Sequence, residues 1–509
     1  FFSSRRRHTR SCLVSWGSEM CIRDSSNPAI PTRRLMRNPP IYFALKNYIA
    51  KKRACFHMPG HHRGRGAHPF LLDLLGEKVL LADITEVEGM DYLHKAEGVI
   101  KHAQELAANL FKVDYTFFLI NGSTVGNLVM LASTLSPGDK VIIQRNSHRS
   151  IIGGLAILDL IPEYIQPEIH PYLEIPWGIT PEELEKKLKK GDSKVVFLTS
   201  PNYFGMCEDL PSLVKVGRRY NSILLLDEAH GAHFPFNSTL PETGIKFSFD
   251  MIVQSAHKTL PSLTQTSFLH VFKKNIDMDR VRDSLAFFQS SSPSYLFMAS
   301  LDIVRYQMET DGEKLWDKVI DKANFLREEI NKIEGLYSFG VEILEDGIFD
   351  LDPTKVTVNT KSIGITGFEV EEILNKKYNI EIELSDSSNI LLFMTPGVTD
   401  DEIQRLLGAL RDISKMRRKP KERQLESPGI PEMDLTPKEA FLKPKELIPI
   451  KESKGRVAGN IVSSYPPGLP ILVPGERITE DTIDYILRLE EEGAVIQGLY
   501  DKILIKVVK

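Results

Sequence analysis

Cysteine is scarce and scattered. Four residues, Cys12, Cys21, Cys55 and Cys207, occur in 509, and none sits in a C-x-x-C pair. That leaves nothing to build a disulfide framework or a zinc site, and the chain reads as reduced and cytoplasmic. No apolar run reaches the roughly 18–20 residues that cross a bilayer. An excess of one charge is missing too. Lys+Arg 64 stand against Asp+Glu 68, a formal net charge of −4, so neither nucleic acid nor an anionic membrane is an expected partner. No internal repeat is visible. What is present is ordinary: 42% hydrophobic and 26% charged residues, the profile of a globular protein. The length allows two or three domains.

The first 25 residues lack period as well. Residues 1–25 mix an Arg run with Trp and two of the four Cys. No apolar stretch of ~7–15 residues follows the basic start, so the segment is not a secretory signal. It has no amphipathic period of a transit peptide. It resembles translated adapter sequence, and the native start is expected near Met36. The segment carries five Arg against one Glu and one Asp, leaving the rest near −7.

Beyond it, residues 26–70 read as an N-terminal arm with a short amphipathic helix (41–52) and a turn-rich basic loop (57–64). Residues 71–310 form the expected large domain. Short apolar strands at 116–120, 140–143, 194–198, 222–226, 251–254 and 267–272 alternate there with helical segments at 99–111, 121–133 and 148–158. This pattern predicts an α/β fold with a largely parallel sheet covered on both faces. Residues 311–415 read as a small α/β domain, with strands at 341–344, 355–359, 380–384 and 390–394. Residues 416–456, rich in Lys, Glu and Pro, read as an extended, solvated linker. Residues 457–509 read as a C-terminal α+β subdomain.

Chemistry concentrates after the strands. Asp227 ends the run Ile223-Leu224-Leu225-Leu226, and Ser255-Ala256-His257-Lys258 follows the next run. A lysine just past a strand, with an acid at the end of the preceding strand, is the pair that pyridoxal phosphate (PLP) chemistry needs. The amine condenses with the cofactor aldehyde, and the acid keeps the pyridine nitrogen protonated. The alternative is a surface lysine and a helix-capping acid. Asn121-Gly122-Ser123-Thr124, between a strand and a helix, offers backbone N–H groups and two hydroxyls to a phosphate, or is an ordinary N-cap. Ser255 offers a further hydroxyl. His148, opening the next helix, could stack on a planar ring or be structural. Asp227-x-x-His230 could be read as a metal pair, but no third-ligand pattern accompanies it, and no metal is expected. Residues 264–266 are expected to close the back of the pocket.

Ser255-Ala256-His257-Lys258-Thr259-Leu260-Pro261-Ser262-Leu263-Thr264-Gln265 resembles the PLP-lysine segment of the Orn/Lys/Arg decarboxylase family. The resemblance runs from about Pro40 to the C-terminus. It includes Met58-Pro59-Gly60-His61, Asp83-Ile84-Thr85-Glu86, Asp91-Tyr92-Leu93-His94, Asn121 to Thr124 and Asp227 to His233. Ser292-Pro293-Ser294-Tyr295, Tyr465-Pro466-Pro467-Gly468 and Pro474-Gly475-Glu476 complete it. It implies the PLP-dependent transferase fold type I, in the short bacterial form without an N-terminal wing domain. It also implies roles. Lys258 matches the lysine that joins the cofactor, Asp227 the partner of the pyridine nitrogen, and His148 the stacked histidine. Gly122, Ser123, Thr124 and Ser255 match the phosphate cradle, and His257 and His230 match histidines beside the lysine. Ser290 matches a hydroxyl reaching the phosphate from the other subunit of a homodimer. Glu476 is a candidate contact to the substrate's distal basic group. His61-His62 departs from the usual His-Lys.

The implied reaction is decarboxylation of a basic amino acid: arginine to agmatine for polyamine synthesis, with lysine or ornithine as alternatives. A fold type I aminotransferase would clamp the substrate carboxylate with a small-domain Arg. None occurs between Arg327 and Arg405, and holding a departing carboxylate that way would stabilise the ground state. A non-catalytic homologue would be expected to have lost Lys258 or Asp227.

Overall fold

Seven short apolar runs pair into one sheet in a computed structural model, which describes residues 38–344, 348–420, 428–465 and 469–509. The leader, Cys12, Cys21, Met36 and Pro466-Pro467-Gly468 lie outside the described residues. The strands are β1 (Tyr115–Leu119), β2 (Lys140–Gln144), β3 (Ile161–Ile165), β4 (Ser193–Thr199), β5 (Ile223–Asp227), β6 (Met251–Gln254) and β7 (Ser267–Val271). Their order is β1-β7-β6-β5-β4-β2-β3. β7 runs antiparallel to both β1 and β6, and the other pairings are parallel.

Helices of this part are α1 (Pro40–Ala50), α2 (Val99–Phe111), α3 (Gly122–Thr134), α4 (Arg149–Leu158), α5 (Leu210–Arg219), α6 (Met278–Phe288) and α7 (Tyr295–Ile330). Strand side chains alternate between faces, and both faces are buried. Val195, Phe197, Leu225 and Val253 join one core with Val129 of α3 and Ile151 of α4. Val196, Leu198, Leu224 and Ile252 join the other with Leu213 and Val216 of α5. Continuous rather than alternating hydrophobicity in the sequence follows from this double coverage.

The smaller α/β part contains β8 (Lys355–Asn359), β9 (Leu384–Ser385) and β10 (Asn389–Phe393), paired antiparallel as β8-β10-β9. Helices α8 (Gly367–Tyr378) and α9 (Asp400–Lys415) each start on a capping box, Thr366 with Glu369 and Thr399 with Glu402. The C-terminal part has α10 (Pro437–Leu442), β11 (Lys445–Pro449), β12 (Val462–Tyr465), β13 (Leu469–Leu472), α11 (Glu480–Glu491), β14 (Val495–Gln497), β15 (Leu499–Tyr500) and β16 (Leu504–Val508). These strands form two three-stranded sheets, β11-β16-β15 and β13-β12-β14.

Four details differ from the sequence expectation. The boundary at 310 falls inside α7, a continuous 36-residue helix. This helix packs against α1 and α2 at one end and against α9 and β8 at the other, so it belongs to both parts. The linker at 416–456 is folded from Thr436 onward: α10 packs on α4, β11 pairs with β16, and Ala440 and Ile450 are buried. Glu439, Lys443, Lys451 and Glu452 are exposed on it, and composition alone does not separate such elements from a solvated tether. Residues 341–343 form a 3-10 turn, with Val341 exposed. Of the strand at 380–384 only the end pairs, through the Glu383 N–H to the Leu391 carbonyl and through Leu384. Asn379 takes a left-handed conformation and the Ile380 N–H bonds the Leu374 carbonyl, so residues 379–380 finish helix α8.

Candidate active site

The C-terminal ends of β1, β2, β4, β5 and β6 open onto one cavity of about 320 Å³, the edge at which open α/β sheets bind ligands. Gly122, Ser123, Thr124, His148, Asp227, His230, Ser255, His257 and Lys258 all line it. Nine of the eleven residues singled out from the sequence are therefore brought together.

The phosphate end is built by β1, α3 and the loop before β7. Gly122 holds φ +71° and donates its N–H to the Gln265 carbonyl at 2.8 Å, which fixes the turn into α3. The Ser123 hydroxyl lies 2.6 Å from that of Ser255 and 3.1 Å from that of Ser267. Three hydroxyls thus converge at a helix N-terminus, where the helix dipole favours an anion. Thr124 is exposed to the cavity. Thr264 and Gln265 also line it, as expected for its back wall.

Asp227 is 3% exposed. One carboxylate oxygen accepts from the Ala229 N–H at 3.1 Å, the other from the Asn127 amide at 2.9 Å. The same amide nitrogen donates to the Ser150 hydroxyl at 2.9 Å, and that hydroxyl lies 2.8 Å from His148 Nδ1. His148 is thus tied to Asp227 through Ser150 and Asn127. His148 Nδ1 also accepts from the Ser150 N–H, capping α4, so its capping and site-lining positions coexist. Burial lowers its basicity, against the opposing pull of Asp227.

Lys258 Nζ lies 2.9 Å from His230 Nε2 and 5.3 Å from the centre of the Tyr203 ring. Burial pushes the amine below its ordinary range. The carboxylates of Asp227 and Glu383 oppose the shift, and Lys355 adds to it. Burial likewise drives His230 well below the imidazole range, so His230 is neutral and its Nε2 accepts from Lys258. Its Nδ1 is buried without a partner among the described residues, as are the amide oxygens of Asn127 and Asn146 on the same cavity wall. His257 Nδ1 lies 2.9 Å from the Thr266 carbonyl. A carbonyl only accepts, so this nitrogen carries the proton and Nε2 is the basic one.

Two expected residues stand apart. Ser290 is exposed outside the cavity, yet adjoins it: its N–H donates to Asn121 Oδ1 at 3.1 Å. Glu476 is not on the cavity wall. It is fully buried, and both of its oxygens accept from the Arg145 guanidinium, at 2.5 and 2.8 Å. One of them also accepts from the Val473 N–H. With its acceptors committed to this chain, Glu476 holds the C-terminal part to the sheet and is no contact for a substrate cation.

Other groups were not legible in advance. His233 Nε2 lies 3.1 Å from Asp352, and Lys355 Nζ lies 3.7 Å from the same carboxylate and 3.7 Å above the Phe393 ring. Burial alone would raise the Asp352 carboxyl, but His233 and Lys355 outweigh it and hold it below the usual carboxylate range. Phe393 meets His230 edge-on at 5.8 Å, so this buried layer couples β8 and β10 to the cavity. No group of three or more His, Cys, Asp or Glu suited to a metal ion occurs among the described residues. No helix among them is long and apolar enough to cross a membrane.

Residues 39–402 match the family model for the Orn/Lys/Arg decarboxylase major domain, and residues 420–503 that for its C-terminal domain. The chain is 38% identical over 478 residues to the arginine decarboxylase of Bacillus subtilis (strain 168), covering 92% of this chain and 98% of that one. It is 25% identical to the lysine decarboxylase LdcA of Pseudomonas aeruginosa, covering 88% and 75%. The fold superposes on the crystal structure of the Francisella novicida lysine decarboxylase LdcF with a TM-score of 0.82. That match has 22% identity and covers 93% of this chain and 81% of the other.

Proposed function

The chain belongs to the Orn/Lys/Arg decarboxylase family, and we propose that it binds PLP in the cavity at the sheet's C-terminal edge and converts arginine to agmatine and CO2. The observation that carries this reading is the placement of Lys258 and Asp227 at the ends of adjacent parallel strands β6 and β5, facing one cavity. The residues fit the cofactor. The hydroxyls of Ser123 and Ser255 and the turn at Gly122 suit its phosphate, Asp227 its ring nitrogen, and His148 its ring face. The unpartnered His230 Nδ1 and the Asn127 and Asn146 amide oxygens leave polar positions for a polar guest. When bound, PLP supplies an electron sink for the bond that releases CO2.

The protein's own part is binding, orientation and proton handling. Lys258, its amine kept short of protons by burial, attaches the cofactor. Asp227, held by Asn127 and the Ala229 N–H, keeps the ring nitrogen protonated. His257, with Nδ1 anchored on Thr266, presents a basic Nε2, and it or Lys258 returns a proton to the substrate Cα. No Arg stands on β10, whose Phe393 meets His230 at the site, which favours loss of the carboxylate over transamination. Arginine is preferred over lysine and ornithine because the arginine decarboxylases of several Bacillus species are 38% identical to this chain, whereas the lysine decarboxylase LdcA of Pseudomonas aeruginosa and the ornithine decarboxylase of Haemophilus influenzae stand at 25%. The enzyme works in the cytoplasm as a homodimer, with Ser290 lending its hydroxyl to the partner's phosphate.

CO2 release from arginine, lysine and ornithine, measured with the PLP-loaded protein, tests the reading. Arginine is expected to give the highest kcat/KM, and Lys258→Ala to abolish turnover together with the visible absorbance of the attached cofactor. Undiminished turnover by Lys258→Ala would overturn it.

A further inference from the structure

Beside the cofactor cavity lies a second one, of about 200 Å³, bounded by the large, small and C-terminal parts. The two share Asn146, Pro176 and Phe204 in their linings, so they adjoin each other at Phe204. Asp227 is the carboxylate on the first cavity's wall, and it serves the sheet end. The second is lined by two more, Glu174 and Asp386.

The charges on this wall differ in how they are compensated. Arg145 is neutralised by Glu476 at 2.5 Å. Glu174 is paired with Lys361 at 2.7 Å and accepts from the Ser388 hydroxyl at 2.6 Å. Asp386, in the turn between β9 and β10, accepts only from neutral donors: the N–H groups of Ser388 and Asn389, both at 2.7 Å, and the Asn389 amide. No ion pair to it occurs among the described residues. The phenol of Tyr485 is on the same wall and senses both acids: burial, then Asp386 and Glu174, push it up to about 12. Burial, with the added repulsion of Glu174, pushes the Asp386 carboxyl up to about 6. A set-back carboxylate with no counter-ion, flanked by Phe204, Phe368 and Tyr485, is a receptor for a planar cation: acid for charge and hydrogen bonds, aromatic faces for stacking.

We propose that the second cavity receives the distal guanidinium of the substrate, with Asp386 as the specificity-determining carboxylate. This rests on the reading of the chain as a decarboxylase of a basic amino acid, and it assigns the part that Glu476 cannot play. The amino acid head lies against Lys258, the stem passes Phe204, and the cation ends against Asp386 beside Tyr485, since Glu174 is already compensated by Lys361.

Asp386→Asn tests it, because an amide oxygen can still accept the Ser388 and Asn389 N–H bonds while the charge is removed. The variant is expected to raise KM for arginine by at least about 30-fold, the lower end for removing one partner of a buried charged pair. It should also narrow the preference for arginine over citrulline, its neutral isostere, and leave the cofactor absorbance intact. A merely structural residue would not change that preference. A KM within threefold of wild type with the preference unchanged overturns the proposal. Agmatine binding, followed calorimetrically, separates this from the functional reading. If the wild type releases CO2 from no basic amino acid, the reaction assignment fails; agmatine bound by wild type and weakened in Asp386→Asn still supports the cation site, and equal binding overturns it. Should Asp386→Asn not fold, Tyr485→Leu on the same wall is expected to raise KM for arginine about tenfold, and an unchanged KM counts against the proposal.

Discussion

Asp227 does not work alone, and the residue scale shows why. Its second oxygen depends on the Asn127 amide, and that amide is also the link to Ser150 and His148. Asn127 is 1% exposed and sits in α3, one turn past Ser123. Removing it leaves Asp227 with one donor and leaves the Ser150 hydroxyl free to rotate away from His148. Asn127→Leu is expected to lower kcat/KM by between about 10- and 100-fold, since a hydrogen bond to an ionised group is worth about 1.5–3 kcal/mol. Steady-state kinetics on the PLP-loaded protein check this, and a loss under twofold would show that the Ala229 N–H alone holds Asp227. Lys258, Asp227 and the Ser123–Ser255 pair were legible because each follows an apolar run. Asn127 and Asp386 were not, since nothing local marks an amide or an acid whose partner is far away in sequence. Glu476 was misread for the same reason: its guanidinium partner, Arg145, is 331 residues away, so the motif showed an acid but not that it was already taken.

Elements carry the site because they approach closely where glycine allows it. In α3, a Cβ at Gly126 would lie 2.4 Å from Val253 Cγ2 on β6 and 2.9 Å from Leu119 Cδ1 on β1. Those strands lead to Lys258 and to the Gly122 turn, so a push there moves both ends of the cofactor cavity. At Gly153 in α4 a Cβ would meet nothing within 4 Å. Gly126→Ala is expected to cost about 1–3 kcal/mol by overpacking and to weaken PLP binding. Gly153→Ala should gain about 0.5–1 kcal/mol from helix propensity. Urea unfolding of the two variants measures the contrast, and equal effects would mean that the sheet yields to the extra methyl. The elements themselves were largely readable, since buried parallel strands are short continuous apolar runs and the helices between them keep their period. The antiparallel direction of β7 was not, because a strand buried on both faces has the same composition in either direction. The α7 helix hid a boundary for a related reason: its period does not change where its neighbours do. Fold class is a property of local patterns, while α10 and β11 needed the partners α4 and β16 to be more than a charged tether.

The whole molecule poses a question that one chain leaves incomplete. Ser290 lies just outside its own cavity, tied to Asn121 at the mouth, and Phe287 nearby on α6 is 85% exposed. An apolar ring left in water beside a cavity mouth is what a symmetric dimer would cover, and a two-fold axis would carry Ser290 toward the partner's phosphate cradle rather than its own. Two inactive variants separate these arrangements. Lys258→Ala removes the attaching amine. Ser290→Asp sets a negative charge against the phosphate, wherever Ser290 acts. If Ser290 serves its own chain, every site in a mixed dimer carries one defect and mixing restores nothing. If it serves the partner's, each heterodimer collects both defects in one site and leaves the other intact. Random re-association makes about half of the dimers mixed, each with one working site of two, so about a quarter of wild-type activity should return. Mixing the unfolded or co-expressed chains and measuring CO2 release decides between them, and activity that stays at the level of the separate variants would place Ser290 in its own subunit's surface chemistry alone.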